Sequence, residues 1–357
     1  MRIVYVIGTR PNFVKTAPVI SALQRWLPDG RHTIIHTGQH YDRAMSEVFF
    51  DELEVPAPDH MLEVGSGSHA QQTARVMERL EPVLIDEAPD LVMVPGDVNS
   101  TLAAALTAAK MHIPVAHIES GLRSFDRTMP EEVNRIVADE FSDYLFLHSD
   151  EAIENLRAEG IPEERMRFVG NTMIDTLVAL EDRFRAAGTA SRLGVEPGKF
   201  ALVTLHRPAL VDGPLLPETV HQLAALAREM PVVFPVHPRT RKMMEEVESD
   251  HPGLLLSEPL GYLDFLSLLA DAGAVLTDSG GIQEETTYLG IPCFTLRDNT
   301  ERPVTIRAGT NTLLGLDPTA IAGIPAALAA RSANRSEPPP LWDGRAAERI
   351  ADELAAG

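Results

Sequence analysis

The sequence predicts an α/β protein of two doubly wound, Rossmann-like domains, and three observations lead there. The chain has 357 residues, more than one hydrophobic core usually organises, which points to two domains. Short apolar runs alternate with longer segments of helical period throughout. The runs are continuously apolar rather than alternating, as expected of strands covered on both faces of a parallel sheet.

In chain order the runs are RIVYVI (2–7), HTIIH (32–36), LVMVPG (91–96), PVAHIE (114–119) and YLFLHS (144–149), then FALVTLH (200–206), VVFPVH (232–237), GLLLSE (253–258), AVLTD (274–278) and CFTLR (293–297). Between the two sets, the segment from Arg183 to Gly198 is polar and carries no strand, so the divide is placed near GNTMIDTL (170–177). The first domain is expected over 1–172 and the second over 173–344. SEPPPLWDG (336–344) reads as an extended connection, and RAAERIADELAA as a final amphipathic helix.

Composition narrows the partners. Lysine and arginine total 31 against 52 aspartate and glutamate, a net charge of -21, which argues against nucleic acid or an anionic membrane. An anionic ligand must then be met by a local basic cluster. The single cysteine, Cys293, lies in the apolar run IPCFTL and fits a reducing cytoplasm. No stretch approaches the roughly 20 apolar residues of a membrane span, so a cytoplasmic location is expected.

Ligands of open parallel sheets bind outside the carboxyl ends of the strands, so the residues just after each run carry the information. Here they are Arg10, Gln39 and His40, Asp97, Glu119, His206, His237, and Asp278 with Ser279. Any one of them reads equally as a cap or turn residue; as a set they suggest a site. In AVLTDSGGIQEETTYLG (274–290) a strand runs into Ser279-Gly280-Gly281, whose helix start suits a phosphate. Glu284 and Glu285 in the first turn fit either the helix dipole or a pair of ribose hydroxyls. Arg302 in TERPVT is a candidate diphosphate clamp. The first half supplies acids instead: Asp97 in PGDVNST, Glu119 in HIESGLR, and Glu131 with Glu132 in MPEEVNR. Carboxylates gathered at one site are the usual equipment for proton transfer. No GxGxxG follows a strand, and GxxxxGK[ST], HExxH and paired CxxC are absent, so no nicotinamide cofactor, P-loop or metal requirement is expected.

Taken in order, GTRPNFVKTAPV, PGDVNST, HIESGLRS, MPEEVNR, FVGNTMIDTL, TLHRP, PVHPRT, TDSGGIQEE and ERPVT, spanning about residues 1 to 312, resemble the non-hydrolysing UDP-N-acetylglucosamine 2-epimerases. The resemblance implies the glycosyltransferase-B architecture, with two Rossmann-like domains facing across a cleft, a homodimer, and a C-terminal helix (about 345–357) returning to the first domain. It implies acid/base roles for Asp97, Glu119 and Glu131, a catalytic role for His206, and no cofactor. It also implies a UDP site of Ser279, Gly280, Gly281 and Arg302 at the diphosphate, Glu285 at the ribose and Phe265 near the uracil. Arg10 and His237 would approach the phosphates, with Lys15 supporting the wall.

Two departures stand out. HRPALVD (206–212) has Pro208 where many bacterial members carry an arginine, and QHYDRAM (39–45) replaces their QHR pattern, so the regulatory second substrate site of those members is not expected. GTRPN replaces the commoner GTRPE, placing Asn12 where an acid is usual. Substrate identity stays open to a UDP-sugar modified at C3 or C6. The alternatives are a hydrolysing 2-epimerase, a UDP-sugar glycosyltransferase and a non-catalytic UDP-sugar-binding regulator.

Overall fold

The computed structural model describes residues 1–38, 52–53, 55–211, 213–236, 238–245, 251–331 and 337–356. The chain divides into two compact units, one of Met1–Ala179 with Pro340–Gly357, the other of Leu180–Pro339.

The first unit contains strands β1 (Arg2–Ile7), β2 (Arg31–His36), β3 (His60–Met61), β4 (Leu91–Pro95), β5 (Val115–Ile118), β6 (Tyr144–Leu147) and β7 (Met166–Phe168). They form one sheet in the order β3-β2-β1-β4-β5-β6-β7, parallel at every pairing. Its helices include α1 (Arg10–Trp26), α2 (His69–Glu87), α3 (Asn99–Lys110), α4 (Pro130–Phe141), α5 (Asp150–Ala158) and α6 (Thr172–Ala179). Val4, Val6, Val92 and Val94 meet Leu80, Leu84, Ala104 and Ala108 in a buried cluster; burying each large aliphatic side chain contributes about 1.5–3 kcal/mol.

The second unit repeats the plan with β8 (Ala201–Thr204), β9 (Val232–Pro235), β10 (Leu254–Ser257), β11 (Ala274–Thr277), β12 (Cys293–Thr295) and β13 (Asn311–Leu313), in the order β10-β9-β8-β11-β12-β13. These pairings are parallel too. Helices α7 (Leu216–Leu226), α8 (Tyr262–Ala270) and α9 (Gly280–Leu289) belong here, and Val203, Phe234, Leu276 and Phe294 pack against Val220 and Leu223. In each sheet the chain turns back at its third crossover, so the order reverses between β1 and β4 in the first and between β8 and β11 in the second. Those two gaps are the switch points of doubly wound sheets.

The unit boundary differs from the sequence-based division at residue 172. Helix α6 stays with the first unit because Thr176 Oγ1 donates to the Val14 carbonyl at 2.6 Å and Asp175 accepts the N–H groups of Ala346 and Ala347 at 3.1 and 2.6 Å. Asp175 thereby caps the C-terminal helix, Ala346–Ala356, which packs on α1 and α6. Trp342 Nε1 donates to the His148 carbonyl at 2.8 Å, so residues 340–344 also belong to the first unit. Gly170 (φ +94°) lies where the returning chain crosses: a Cβ there would stand 2.1 Å from the Leu341 carbonyl oxygen.

Candidate active site

In the first unit the tips of β1, β4 and β5 carry the acids and their cations. Asn12, at the third position of α1, accepts from the backbone N–H groups of Gly8 and Thr9 at 3.2 and 3.1 Å. Its amide then donates across the switch point to the Pro95 carbonyl at 3.2 Å. A glutamate has no donor for that second bond, so the departure from GTRPE joins the tips of β1 and β4. One turn on, buried Lys15 donates to Glu119 Oε1 at 2.7 Å. Lys15 is therefore held as the partner of Glu119 rather than as an open phosphate-binding cation. Glu119 adopts φ +67°, a backbone conformation that costs a non-glycine residue on the order of 1–3 kcal/mol and clusters at functional sites.

Asp97, at the neighbouring tip, pairs with Arg135 of α4 through Oδ2, and Asn134 donates to its carbonyl at 2.8 Å. Arg135 is buried and also reaches Glu132 Oε2 at 3.3 Å. Glu132 accepts the Ser124 N–H and hydroxyl at 2.8 and 2.9 Å and the Phe125 N–H at 2.9 Å. It is thus spent on anchoring the loop before α4, whereas Glu131 at the same helix start is partly exposed. Beneath these acids lies a buried charge network. His117 Nε2 donates to the Gly96 carbonyl at 2.7 Å, its Nδ1 faces Asp139 Oδ1 at 2.7 Å, and Asp139 Oδ2 takes Arg123 Nη1 at 2.7 Å and the Gly121 N–H at 3.1 Å. Burial alone would raise the Asp139 carboxyl, but His117 and Arg123 outweigh it and hold the group below the usual range. The network fixes the turn before Asp97 to the turn after Glu119.

In the second unit the switch point is spanned by His206 and Asp278. Asp278 is fully buried; Oδ1 stands 2.7 Å from His206 Nδ1, while Oδ2 accepts the N–H groups of His206 and Arg207 at 2.9 and 2.7 Å. Burial pushes its carboxyl up, yet these bonds keep it lowered overall. Ser279 is the N-cap of α9 without a side-chain cap bond, and Gly280 and Gly281 open the helix. A Cβ on Gly280 would stand 2.4 Å from Arg302 Nη1; glycine lets the guanidinium lie against the helix start. Buried Arg302 is held by Glu301 Oε1 at 2.7 Å and Glu284 Oε1 at 3.0 Å. Glu285 is buried in α9 with Tyr262 donating to Oε1 at 3.2 Å, Oε2 has no hydrogen-bond partner among the described residues, and burial pushes the carboxyl up to about 8. Such an oxygen is what a ligand hydroxyl would satisfy.

Arg10 is exposed at the first position of α1, and Phe265 is half-buried on α8. His237, like Gln39 and His40, lies outside the described residues. Sequence reasoning assigned no role to His117, Arg135 or Asp139, and named Asp278 only as a strand-tip residue and Asn12 only as a departure from the commoner motif. His117 gave a local signal, lying on β5 two residues before Glu119; Arg135 and Asp139 lie one and two helical turns beyond Glu131 and needed the fold to show what they reach.

Two successive units of this strand order, each with polar groups at its switch point, define a glycosyltransferase-B-like protein. Within that class the chain belongs to the UDP-N-acetylglucosamine 2-epimerase family, whose model matches residues 27–355. It is 40% identical over 370 residues to the UDP-N-acetylglucosamine 2-epimerase of Methanocaldococcus jannaschii, with all of both chains covered. It is 43% identical over 326 residues to the UDP-2,3-diacetamido-2,3-dideoxy-D-glucuronate 2-epimerase of Pseudomonas aeruginosa, covering 88% of each. A crystal structure of the M. jannaschii UDP-GlcNAc 2-epimerase in complex with UDP-GlcNAc and UDP superposes with a TM-score of 0.89 at 39% identity, again over all of both chains. No described helix is long and apolar enough to cross a membrane.

Proposed function

We propose that this protein interconverts UDP-N-acetylglucosamine and UDP-N-acetylmannosamine by inverting C2. The observation that carries the reading is the pair of acids at adjacent strand tips, Asp97 against Arg135 and Glu119 against Lys15, in a member of this family. The C2 hydrogen is poorly acidic, so its removal is coupled to loss of the leaving group. A carboxylate takes the proton, the C–H electron pair becomes the C1=C2 bond, and the C1–O bond breaks with its pair going to UDP. The product is 2-acetamidoglucal beside UDP. Re-addition of UDP at C1, with a proton delivered to the other face of C2, gives the epimer.

In this reading Asp97, Glu119 and Glu131 carry the proton transfers together with His206. The engagement of Glu132 with Ser124 and Phe125 supports Glu131 as the working acid of that pair. The helix start at Ser279, Gly280 and Gly281, with Arg302, stabilises the diphosphate charge. Glu285 takes the ribose hydroxyls, Phe265 lies by the uracil, and Arg10 and His237 reach the phosphates. Lys15 acts through Glu119. No cofactor is needed, because elimination and addition balance without one. A homodimer in the cytoplasm completes the proposal; light scattering at twice the chain mass checks the dimer.

The deciding experiment incubates the protein with UDP-N-acetylglucosamine in deuterated water and follows the sugars by NMR. UDP-N-acetylmannosamine carrying deuterium at C2 is expected. Free N-acetylmannosamine would indicate hydrolysis, transfer only with an acceptor would indicate a glycosyltransferase, and binding without exchange a regulator. A second reading, a 2-epimerase for a UDP-sugar modified at C3 and C6, is favoured by the 43% identity to the diacetamido-glucuronate enzyme. Faster C2 exchange with that sugar than with UDP-N-acetylglucosamine would select it.

A further inference from the structure

The side chain of His206 is about two-thirds exposed, at 64%, so solvent does little to fix its ring. What holds it is Asp278. One carboxylate oxygen of Asp278 receives the backbone N–H groups of His206 and Arg207, and the other faces His206 Nδ1 at 2.7 Å. Arg207 Nε adds a bond to the Asp278 carbonyl at 3.3 Å. The residue thus clasps the loop after β8 from the tip of β11, with its own side chain fully buried.

We infer that Asp278 is a positioning residue that sets the tautomer of His206, keeping the proton on Nδ1 and leaving Nε2 as the nitrogen that works on substrate. The contacts carry this: Oδ2 is committed to two N–H donors and Oδ1 stands against the imidazole, and together these hold the carboxyl below the usual carboxylate range, so at neutral pH it is ionised and acceptor-only. Nδ1 facing the other oxygen must then be the donor. Nε2 alone is left to accept or deliver a proton, the arrangement in which a buried carboxylate orients a catalytic imidazole. Asp278 also immediately precedes Ser279, so the same residue sets the imidazole in register with the start of α9. The inference rests on the proposed role of His206 for its catalytic consequence, but the tautomer itself does not.

Histidine-selective ¹⁵N labelling with long-range ¹H–¹⁵N correlation reads the tautomer in the full-length protein, with the His206→Gln variant assigning the resonance. The neutral ring is expected as the Nδ1–H form; an Nε2–H ring in the wild-type protein would overturn the inference whatever the activity. Asp278→Asn is the second arm. Its carbonyl oxygen can still accept the two backbone N–H groups, while its NH₂ now faces Nδ1 and forces the opposite tautomer. Turnover should fall by roughly 10²- to 10⁴-fold, with UDP affinity within about threefold and KM little changed. A variant that keeps wild-type turnover, or loses UDP binding in parallel with turnover, would count against a positioning role. If His206→Gln itself turns over normally, the catalytic reading of His206 fails while the spectrum still decides what Asp278 does.

Discussion

Lys15 and Glu119 stand 2.7 Å apart with side chains 7% and 4% exposed, so removing one partner strands the other in a dry site. Lys15→Met should destabilise the protein by about 3–5 kcal/mol, and adding Glu119→Gln should restore much of it; urea denaturation of both variants measures the difference. Asp97→Asn leaves the Arg135 contact within reach but removes the base, so C2 deuterium incorporation should fall by at least about 10²-fold with UDP affinity retained. Substantial residual exchange would take Asp97 out of the proton transfer. Glu285 brings pH into UDP binding. Burial lifts its carboxyl to about 8, and ribose hydroxyls donate best to the ionised form. UDP binding should therefore tighten as pH rises from 6.5 through 8, with proton release seen by calorimetry in buffers of different ionisation enthalpy; Glu285→Gln should flatten that profile. For the ligand-free fold the sign is opposite. A carboxyl raised on folding contributes stability that is complete below its unfolded value near 4.5 and lost as pH climbs through about 8, so Glu285→Gln should gain melting temperature relative to wild type at pH 8 over pH 6.

At the level of elements, the crossing of Gly170 beneath Leu341 joins two segments far apart in sequence. Alanine there meets the Leu341 carbonyl at 2.1 Å in a φ +94° conformation. Gly170→Ala should cost more than about 2 kcal/mol and speed amide exchange of the C-terminal helix, read by mass spectrometry. A milder test of the same docking is Asp175→Ala, expected to cost about 1 kcal/mol as a lost cap. These elements also show where sequence reasoning reached and where it stopped. Every long apolar run became a strand, because burial on both faces leaves an unbroken signature. The edge strands β3, β7 and β13 carry no such signature: His60–Met61, Met166–Phe168 and Asn311–Leu313 are only two or three residues long, too short for a period. The division at 172 rests on the polar, strand-free stretch from Arg183 to Gly198 that follows it; the apolar helix TMIDTLVA in between can pack on either side, and only its bonds to Val14, Ala346 and Ala347 settle the matter. In the site, Asp97 and Glu119 were readable as tips after apolar runs. Their partners Lys15 and Arg135 sit on helices at distances of 104 and 38 residues, and no local pattern encodes that separation.

For the molecule as a whole, the second unit is an insertion: its residues 180–339 are contiguous, whereas the first unit is made of 1–179 and 340–357. With its own six-stranded sheet and core cluster, the segment 180–339 should give a cooperative thermal transition when expressed alone. If the UDP assignments hold, it should bind UDP within about tenfold of the full chain while showing no C2 exchange, since Asp97, Glu119 and Glu131 lie in the other unit; calorimetry and the NMR assay separate these outcomes. The split first unit has a consequence for biosynthesis. On the ribosome the inserted unit can close once residue 339 is clear of the exit tunnel, while the first unit still waits for Trp342 and the helix capped by Asp175. The unit whose strands are synthesised earlier is thus completed after the one inserted in it. Nascent chains stalled before residue 340 should expose the first sheet to protease while the inserted unit resists it.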